Sequence, residues 1–163
     1  TLLRAYEQAR RANRLSASLV LAGSTEWGEK TLDLLDSLSV KQDVIVTGFV
    51  QDEELPALYA GADLFVFPSL YEGFGLPVLE AMAYGKAIIV SKGGALPEVA
   101  GSAGISVDPD DVDAFAEAIA HVLEDTSRRE SMEQASLAQA EKFSWEASAA
   151  ALACLMERTA GRG

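Results

Sequence analysis

Two glutamates bracket the segment EGFGLPVLEAMAYG at residues 72–85. Glu72 stands before a Gly-Phe-Gly turn, and Glu80 lies inside an apolar run with Leu76, Pro77, Val78 and Leu79 before it and Ala81, Met82 and Ala83 after it. Gly73 and Gly75 carry no Cβ, so the backbone there turns sharply and lets a bound molecule approach closely. Pro77 suits the first position of a helix, and Gly85 suits the residue just past its end. Such a helix aims its free N–H groups and the positive end of its dipole at the glycine turn, which makes an anion site without any lysine. A carboxylate in the first turns of a helix gains ~0.3–1 kcal/mol from that dipole. An apolar surround works against it, because an unpaired buried carboxylate is costly. A ligand with two hydroxyl donors, such as the vicinal diol of a ribose, would resolve the conflict at Glu80. Glu72, on a loop, reads either as a solvated group or as a second ligand contact.

The elements that must position these groups alternate along the chain. Strands are expected at 18–22 (SLVLA), 44–47 (VIVT), 64–67 (LFVF), 87–90 (AIIV) and 105–107 (ISV). Each is nearly all apolar rather than alternating, which predicts burial on both faces, as in a parallel sheet. Helices are expected near 1–13, 27–38, 53–59, 77–84, 96–100 and 112–124, with two more at 127–142 and 145–158 closing the chain. This order implies right-handed crossovers and an α/β fold with a doubly wound, mostly parallel sheet. Residues 1–163 read as a single domain, and in an open parallel sheet the strand-end loop carrying Glu72 is where ligands bind. Asp52, Asp110, Thr126 and Ser144 are the expected N-caps of four of the helices. The first helix presents Leu2, Leu3, Tyr6 and Ala9 as an apolar stripe with no strand before it, so the sequence reads as cut at its N-terminus.

Composition removes several function classes. The chain has 163 residues, 49% hydrophobic, with 25 acidic and 13 basic side chains and a net charge of −12. That is enough apolar content for a sizeable core. The acidic balance argues against a nucleic-acid partner and against docking on an anionic membrane through this region. The one cysteine, Cys154, allows no internal disulfide and reads as a small apolar residue on a helix face. No hydrophobic stretch is long enough to span a bilayer, and a cytoplasmic protein is expected. His121, the sole histidine, falls on the polar side of its helix, so no Ser/His/Asp unit can be assembled. The acidic run at 108–111 lacks the central glycine and final glutamate of a calcium loop and reads as helix capping. No metal site is expected. Trp27 and Trp145 read as packing anchors.

The pattern Glu72-x7-Glu80 within FPSLYEGFGLPVLEAMAYGKAIIVS resembles the signature of the retaining family-4, or group 1, glycosyltransferases. The likeness extends upstream through LVLAGS and VIVTGFVQDEELPALYAGADLFVFPS. Downstream it continues through GGALPEVAG, GISVDPDD and KFSWE, so it covers essentially the whole chain. These enzymes have the GT-B architecture of two Rossmann-like halves, and this sequence resembles the C-terminal half, which binds the nucleotide-sugar donor. The resemblance implies that Glu80 binds the ribose hydroxyls and that Glu72 contacts the donor sugar near the reacting carbon. It implies sugar contacts from the backbone of Phe74 and Gly75 beside Gly73, and diphosphate contacts from backbone groups at Leu76 and Val78. Gly23, Phe49 and Val50 would line the base pocket.

The implied reaction is retaining transfer of a hexose from a nucleotide diphosphate sugar to a glycan or lipid-linked acceptor in polysaccharide biosynthesis, with no cofactor and no metal. The style of AGSTEW and LPEVAGSAGISVDPDD resembles bacterial mannosyltransferases, which makes GDP-mannose the first choice of donor. An Arg and a Lys that the family carries just before the first helix are not in this sequence, nor is the acceptor-binding N-terminal half. The 163-residue chain alone is therefore expected to be inactive. Any membrane contact, at the inner face, would come through that other half. Two alternatives remain open at this stage: a nucleotide-sugar binding module without transferase activity, and a receiver-like signalling domain whose glutamates are helix caps.

Overall fold

The computed structural model describes residues 1–12, 14–23 and 29–160. In chain order the elements are α1 (Leu2–Arg11), β1 (Leu19–Ala22), α2 (Glu29–Ser37), β2 (Val44–Gly48), α3 (Leu55–Gly61), β3 (Phe65–Phe67) and α4 (Leu76–Ala83). They continue as β4 (Ile88–Ser91), α5 (Leu96–Ala100), β5 (Ile105–Val107), α6 (Val112–Glu124), α7 (Thr126–Ala140) and α8 (Trp145–Ala160). The fold is α/β with parallel strands throughout, as the alternation predicts.

The strands form two parallel sheets, β1-β2 and β3-β4-β5, rather than one continuous sheet. In the doubly wound order 3-2-1-4-5-6, these pairings match the second and third strands on one side and the fourth to sixth on the other. Among the described residues no ladder joins β1 to β3.

Burial on both faces holds fully only for β4, the middle strand of its sheet. Side chains alternate across a strand. Ala87 and Ile89 accordingly enter one core cluster with Leu3, Tyr6, Phe115 and Ile119 of α1 and α6. Ile88 and Val90 enter the opposite cluster with Val78, Met82, Leu96 and Val99 of α4 and α5. Helices therefore cover both faces of β4, which is why its run is uniformly apolar. Each fully buried Ile or Val there contributes about 1.5–3 kcal/mol relative to exposure. β1 and β2 depart from the expectation. Leu19, Leu21 and Val44 pack on the first cluster, while Val20 and Ile45 face outward at 45% and 52% exposure. Among the described elements only one face of this pair is covered.

The expected apolar stripe of α1 is buried: Leu3, Ala5, Tyr6 and Ala9 face the core. The Tyr6 hydroxyl lies within bonding distance of the Ala17 and Asp43 carbonyls at 3.0 and 3.2 Å, and Arg10 pairs with Asp43 at 2.7 Å. These contacts tie the helix to the starts of β1 and β2.

Caps shift by a residue or two from expectation. α3 starts after Glu54 rather than Asp52, with Pro56 fixing its first turn. α6 is capped by Asp111, whose carboxylate accepts from Ala114 N at 2.8 Å, and α7 by Asp125 rather than Thr126. Ser144 caps α8 as expected, accepting from Ala147 N at 3.0 Å. Trp145 is not a packing anchor but is 78% exposed, because α8 leaves its side chains in solvent from Trp145 to Thr159. Cys154 is exposed on the same helix. Trp27 lies outside the described residues.

Candidate functional site

The loop after β3 carries Glu72, and its neighbours determine where that carboxylate sits. Ser69 donates its hydroxyl to Glu72 Oε1 at 2.8 Å. Ser91, fully buried at the end of β4, donates in turn to the Ser69 carbonyl. On the other side, Ala95 N–H donates to the Glu72 carbonyl at 3.0 Å. This contact brings the β4–α5 loop against the β3–α4 loop, backbone to backbone, and glycine is what allows it. A Cβ at Gly93 would lie 2.5 Å from the Leu70 carbonyl oxygen, and one at Gly94 would lie 2.1 Å from that of Glu72. Gly94 also has a φ of +59°, a left-handed conformation that costs other residues energy. Glu72 is thus half-buried and braced from two strand ends.

Gly75 ends this loop as the N-cap of α4, at φ +96°. It is buried so tightly that a Cβ would meet Leu96 Cδ2 at 2.5 Å. Gly73 beside it is exposed with open space around it, and Phe74 meets Phe143 edge-on at 5.7 Å. The first turn of α4 offers fewer donors than its sequence suggests. Pro77 has no N–H, and the Val78 and Leu79 N–H groups already bond the Gly75 carbonyl at 2.9 and 3.3 Å. Val78 is itself fully buried, whereas Leu76 is exposed at the mouth of the turn with its N–H outside the helical bonds.

Glu80 is not buried, contrary to the apolar surround read from its neighbours. The reason is helical geometry. Val78, Ala81 and Met82 turn toward the core, while Leu76, Glu80 and Tyr84, spaced by four, form an exposed stripe. Its carboxylate is held all the same: the Tyr59 hydroxyl of α3 donates to Glu80 Oε2 at 2.7 Å. Burial raises the Tyr59 phenol, and the adjacent Glu80 raises it further, so the hydroxyl keeps its proton across the neutral range. Glu80 Oε1 accepts no bond from the described residues.

Gly23 follows β1 at φ +133° and donates its N–H to the Gly48 carbonyl at 3.1 Å. Phe49, after β2, is 74% exposed, and Val50 beside it is half-buried. These three belong to the β1-β2 sheet, whereas Glu72 to Glu80 belong to the other. Lys92 is exposed beside Gly93, and His121 is exposed on α6, 3.6 Å from Glu117. Among the described residues no group of three or more His, Cys, Asp or Glu side chains is placed to hold a metal ion. No helix there is long and apolar enough to cross a membrane. Tyr59, Ser69, Ser91, Gly93 and Gly94 escape a reading of the sequence for chemistry. For Gly93 and Gly94 the adjacency of two glycines at a strand end is a signal that could have found them.

The family described as glycosyl transferases group 1 matches residues 1–139. O-antigen chain mannosyltransferase B of Escherichia coli is 45% identical over 146 residues, covering 89% of this chain and 38% of the relative. The chain thus spans well under half of that protein. The sucrose-phosphate synthase structure of Thermosynechococcus elongatus superimposes with a TM-score of 0.82 at 27% identity, over 99% of this chain and 43% of that one. Anabaena Alr3699/HepE, solved in complex with UDP-glucose, shares the fold with a TM-score of 0.73 at 23% identity, over 87% and 40% of the two chains. Fold, motif and relatives agree: the chain belongs to the group 1 glycosyl transferases, with the α/β architecture of a GT-B C-terminal domain.

Proposed function

We propose that this chain binds the donor of a retaining hexosyltransferase, taking a nucleotide diphosphate sugar whose hexose passes to a glycan or lipid-linked acceptor. GDP-mannose is the first choice of donor, supported by the mannosyltransferase named among its relatives. The observation that carries the reading is the Glu80 carboxylate, held on one oxygen by Tyr59 and open on the other, one helical turn from the glycine turn. A carboxylate so placed accepts from a ribose diol. The start of α4, with the Leu76 N–H unbonded among the described residues, offers the diphosphate a positive dipole end.

Glu72 has the complementary task. Its Oε2 is outside the Ser69 bond, and a fixed negative charge there stabilises the positive charge that develops on the anomeric carbon as the sugar–phosphate bond breaks. Bracing by Ser69 and Ala95 N–H lowers the reorganisation needed at that moment. No metal is invoked: the leaving diphosphate is to be neutralised by the helix terminus and by cations supplied from outside this sequence. Gly23, Phe49 and Val50 are assigned to the base, and the backbone of Gly73, Phe74 and Gly75 to the sugar. The acceptor is assigned to a separate N-terminal half, so the 163-residue chain by itself is expected to bind donor without transferring it.

The test is a donor panel with paired variants. Calorimetry on the chain should rank GDP-mannose above UDP-glucose. Glu80→Gln should weaken nucleotide and nucleotide sugar alike by about 1.5–3 kcal/mol, roughly ten- to a hundred-fold. Glu72→Gln should leave free nucleotide binding unchanged, while in a complete enzyme bearing this domain it lowers kcat by ~100-fold or more. Loss of nucleotide affinity in Glu72→Gln alone would reverse the two assignments. No effect of either variant would end the reading.

A further inference from the structure

We infer that Tyr59 is a positioning residue for nucleotide recognition, holding the Glu80 carboxylate in the one orientation that accepts both hydroxyls of a ribose. The inference rests on the assignment of Glu80 to the ribose. A glutamate on an exposed helix stripe samples several rotamers, and each must be given up when a ligand binds. Tyr59 removes that freedom in advance. Its hydroxyl reaches Glu80 Oε2 at 2.7 Å, the short length of a bond to a charged acceptor.

The tyrosine is the fixed member of the pair. Its ring stacks on Tyr84 with centroids 5.5 Å apart and planes 16° from parallel, and it meets Phe65 at 5.8 Å with a 56° tilt. Its body packs on the same apolar cluster as Val78, Met82 and Val90, so ring and backbone are anchored to the core beneath α4. Tyr84, the C-cap of α4, follows Glu80 by one turn, so the element that presents the carboxylate also carries, at its end, the ring that clamps Tyr59. A phenol donates a single proton. One lone pair of Oε2 is therefore taken, and Oε1 together with the second lone pair of Oε2 remains for two ligand hydroxyls. A vicinal cis-diol offers two donors side by side, and a 2′-deoxyribose offers one.

The alternative is that Tyr59 only ties α3 to α4. Discrimination between ribose and deoxyribose separates the two, because a structural tie affects both ligands equally. The experiment is calorimetry on the 163-residue chain with GDP, 2′-deoxy-GDP, UDP and 2′-deoxy-UDP, for the wild type, Tyr59→Phe, Glu80→Gln and the double variant. The wild type should prefer the ribonucleotide by ten-fold or more, and Glu80→Gln should abolish that preference. Tyr59→Phe keeps the ring and should cut the preference three- to ten-fold, and adding it to Glu80→Gln should change nothing further. Tyr84→Leu loosens the ring with the hydroxyl still present and should lower the preference by a smaller factor, which serves as an independent readout if Tyr59→Phe folds poorly. A wild-type preference retained in Tyr59→Phe, or in a folded Tyr84→Leu, alongside its loss in Glu80→Gln overturns the inference. A preference unchanged in Glu80→Gln, or no binding of any of the four by the wild type, instead overturns the assignment of Glu80 and the inference with it.

Discussion

Replacing Gly94 with alanine tests the bracing of Glu72 directly. At φ +59° a non-glycine residue costs roughly 1–2 kcal/mol relative to its preferred backbone. The new methyl would also lie 2.1 Å from the Glu72 carbonyl oxygen and 2.9 Å from its amide nitrogen. Both are backbone atoms, so no rotamer change relieves the contact. The two loops must separate by more than about 1 Å to reach the 3.4 Å of ordinary van der Waals contact. That movement breaks the 3.0 Å bond from Ala95 N–H to the Glu72 carbonyl, a further loss of about 0.5–1.5 kcal/mol. Together the terms give about 1.5–3.5 kcal/mol, which for a domain of this size lowers Tm by about 3–14 °C. Gly61→Ala is the control: Gly61 lies in the last turn of α3 with nothing within 4 Å of an added Cβ. It should be neutral or stabilising by up to ~1 kcal/mol. Thermal unfolding of both variants, followed by circular dichroism, is the assay. A Gly94→Ala midpoint within about 1 °C of the wild type would refute the backbone clamp, and with it the account of how Glu72 is held.

Other expectations follow from the same contacts. Tyr6→Phe removes the hydroxyl shared by the Ala17 and Asp43 carbonyls and should cost about 1 kcal/mol by denaturant titration, whereas an unchanged midpoint would mean α1 is held by packing alone. Glu124 is held below its ordinary value of 4.5 by the bond from Arg14, and Glu7 by the bonds from Ser39. Their folded values lie below the unfolded ones, so the stability they add is complete above 4.5 and is lost as pH falls through the lowered values. Glu124→Gln with Glu7→Gln should flatten that acid limb, and a limb as steep as the wild type's would contradict it. Trp145, Leu152, Leu155 and Met156 of α8 are exposed together, so the isolated chain should self-associate with rising concentration in sedimentation velocity. Leu152→Asp with Leu155→Asp should suppress this, and a strictly monomeric wild type would count against it.

The sequence by itself determined the order and kind of elements, because periodicity, caps and glycines are local. The runs AIIV and ISV, the starts at Leu96 and Val112, and Gly85 after α4 all lie where near-neighbour chemistry places them. The motif around Glu72 and Glu80 was legible for the same reason: a glycine turn feeding a helix is written in consecutive residues. Pairing was not local. Whether five strands make one sheet or two depends on which edges meet, and an apolar run such as VIVT cannot say whether one face or both will be covered. The environment of Glu80 was misread because its sequence neighbours are apolar, while a helix turns by 100° per residue and sends them inward and the glutamate out. Its partner, Tyr59, lies 21 residues away. The Glu72 carboxylate is bonded by Ser69 only three residues before it, but the Ser91 and Ala95 contacts that brace this loop come from the end of β4 and the loop after it. Contacts of that separation exist only once the chain has packed, so tertiary structure alone decided how the Glu80 carboxylate is held and how the loop carrying Glu72 is braced.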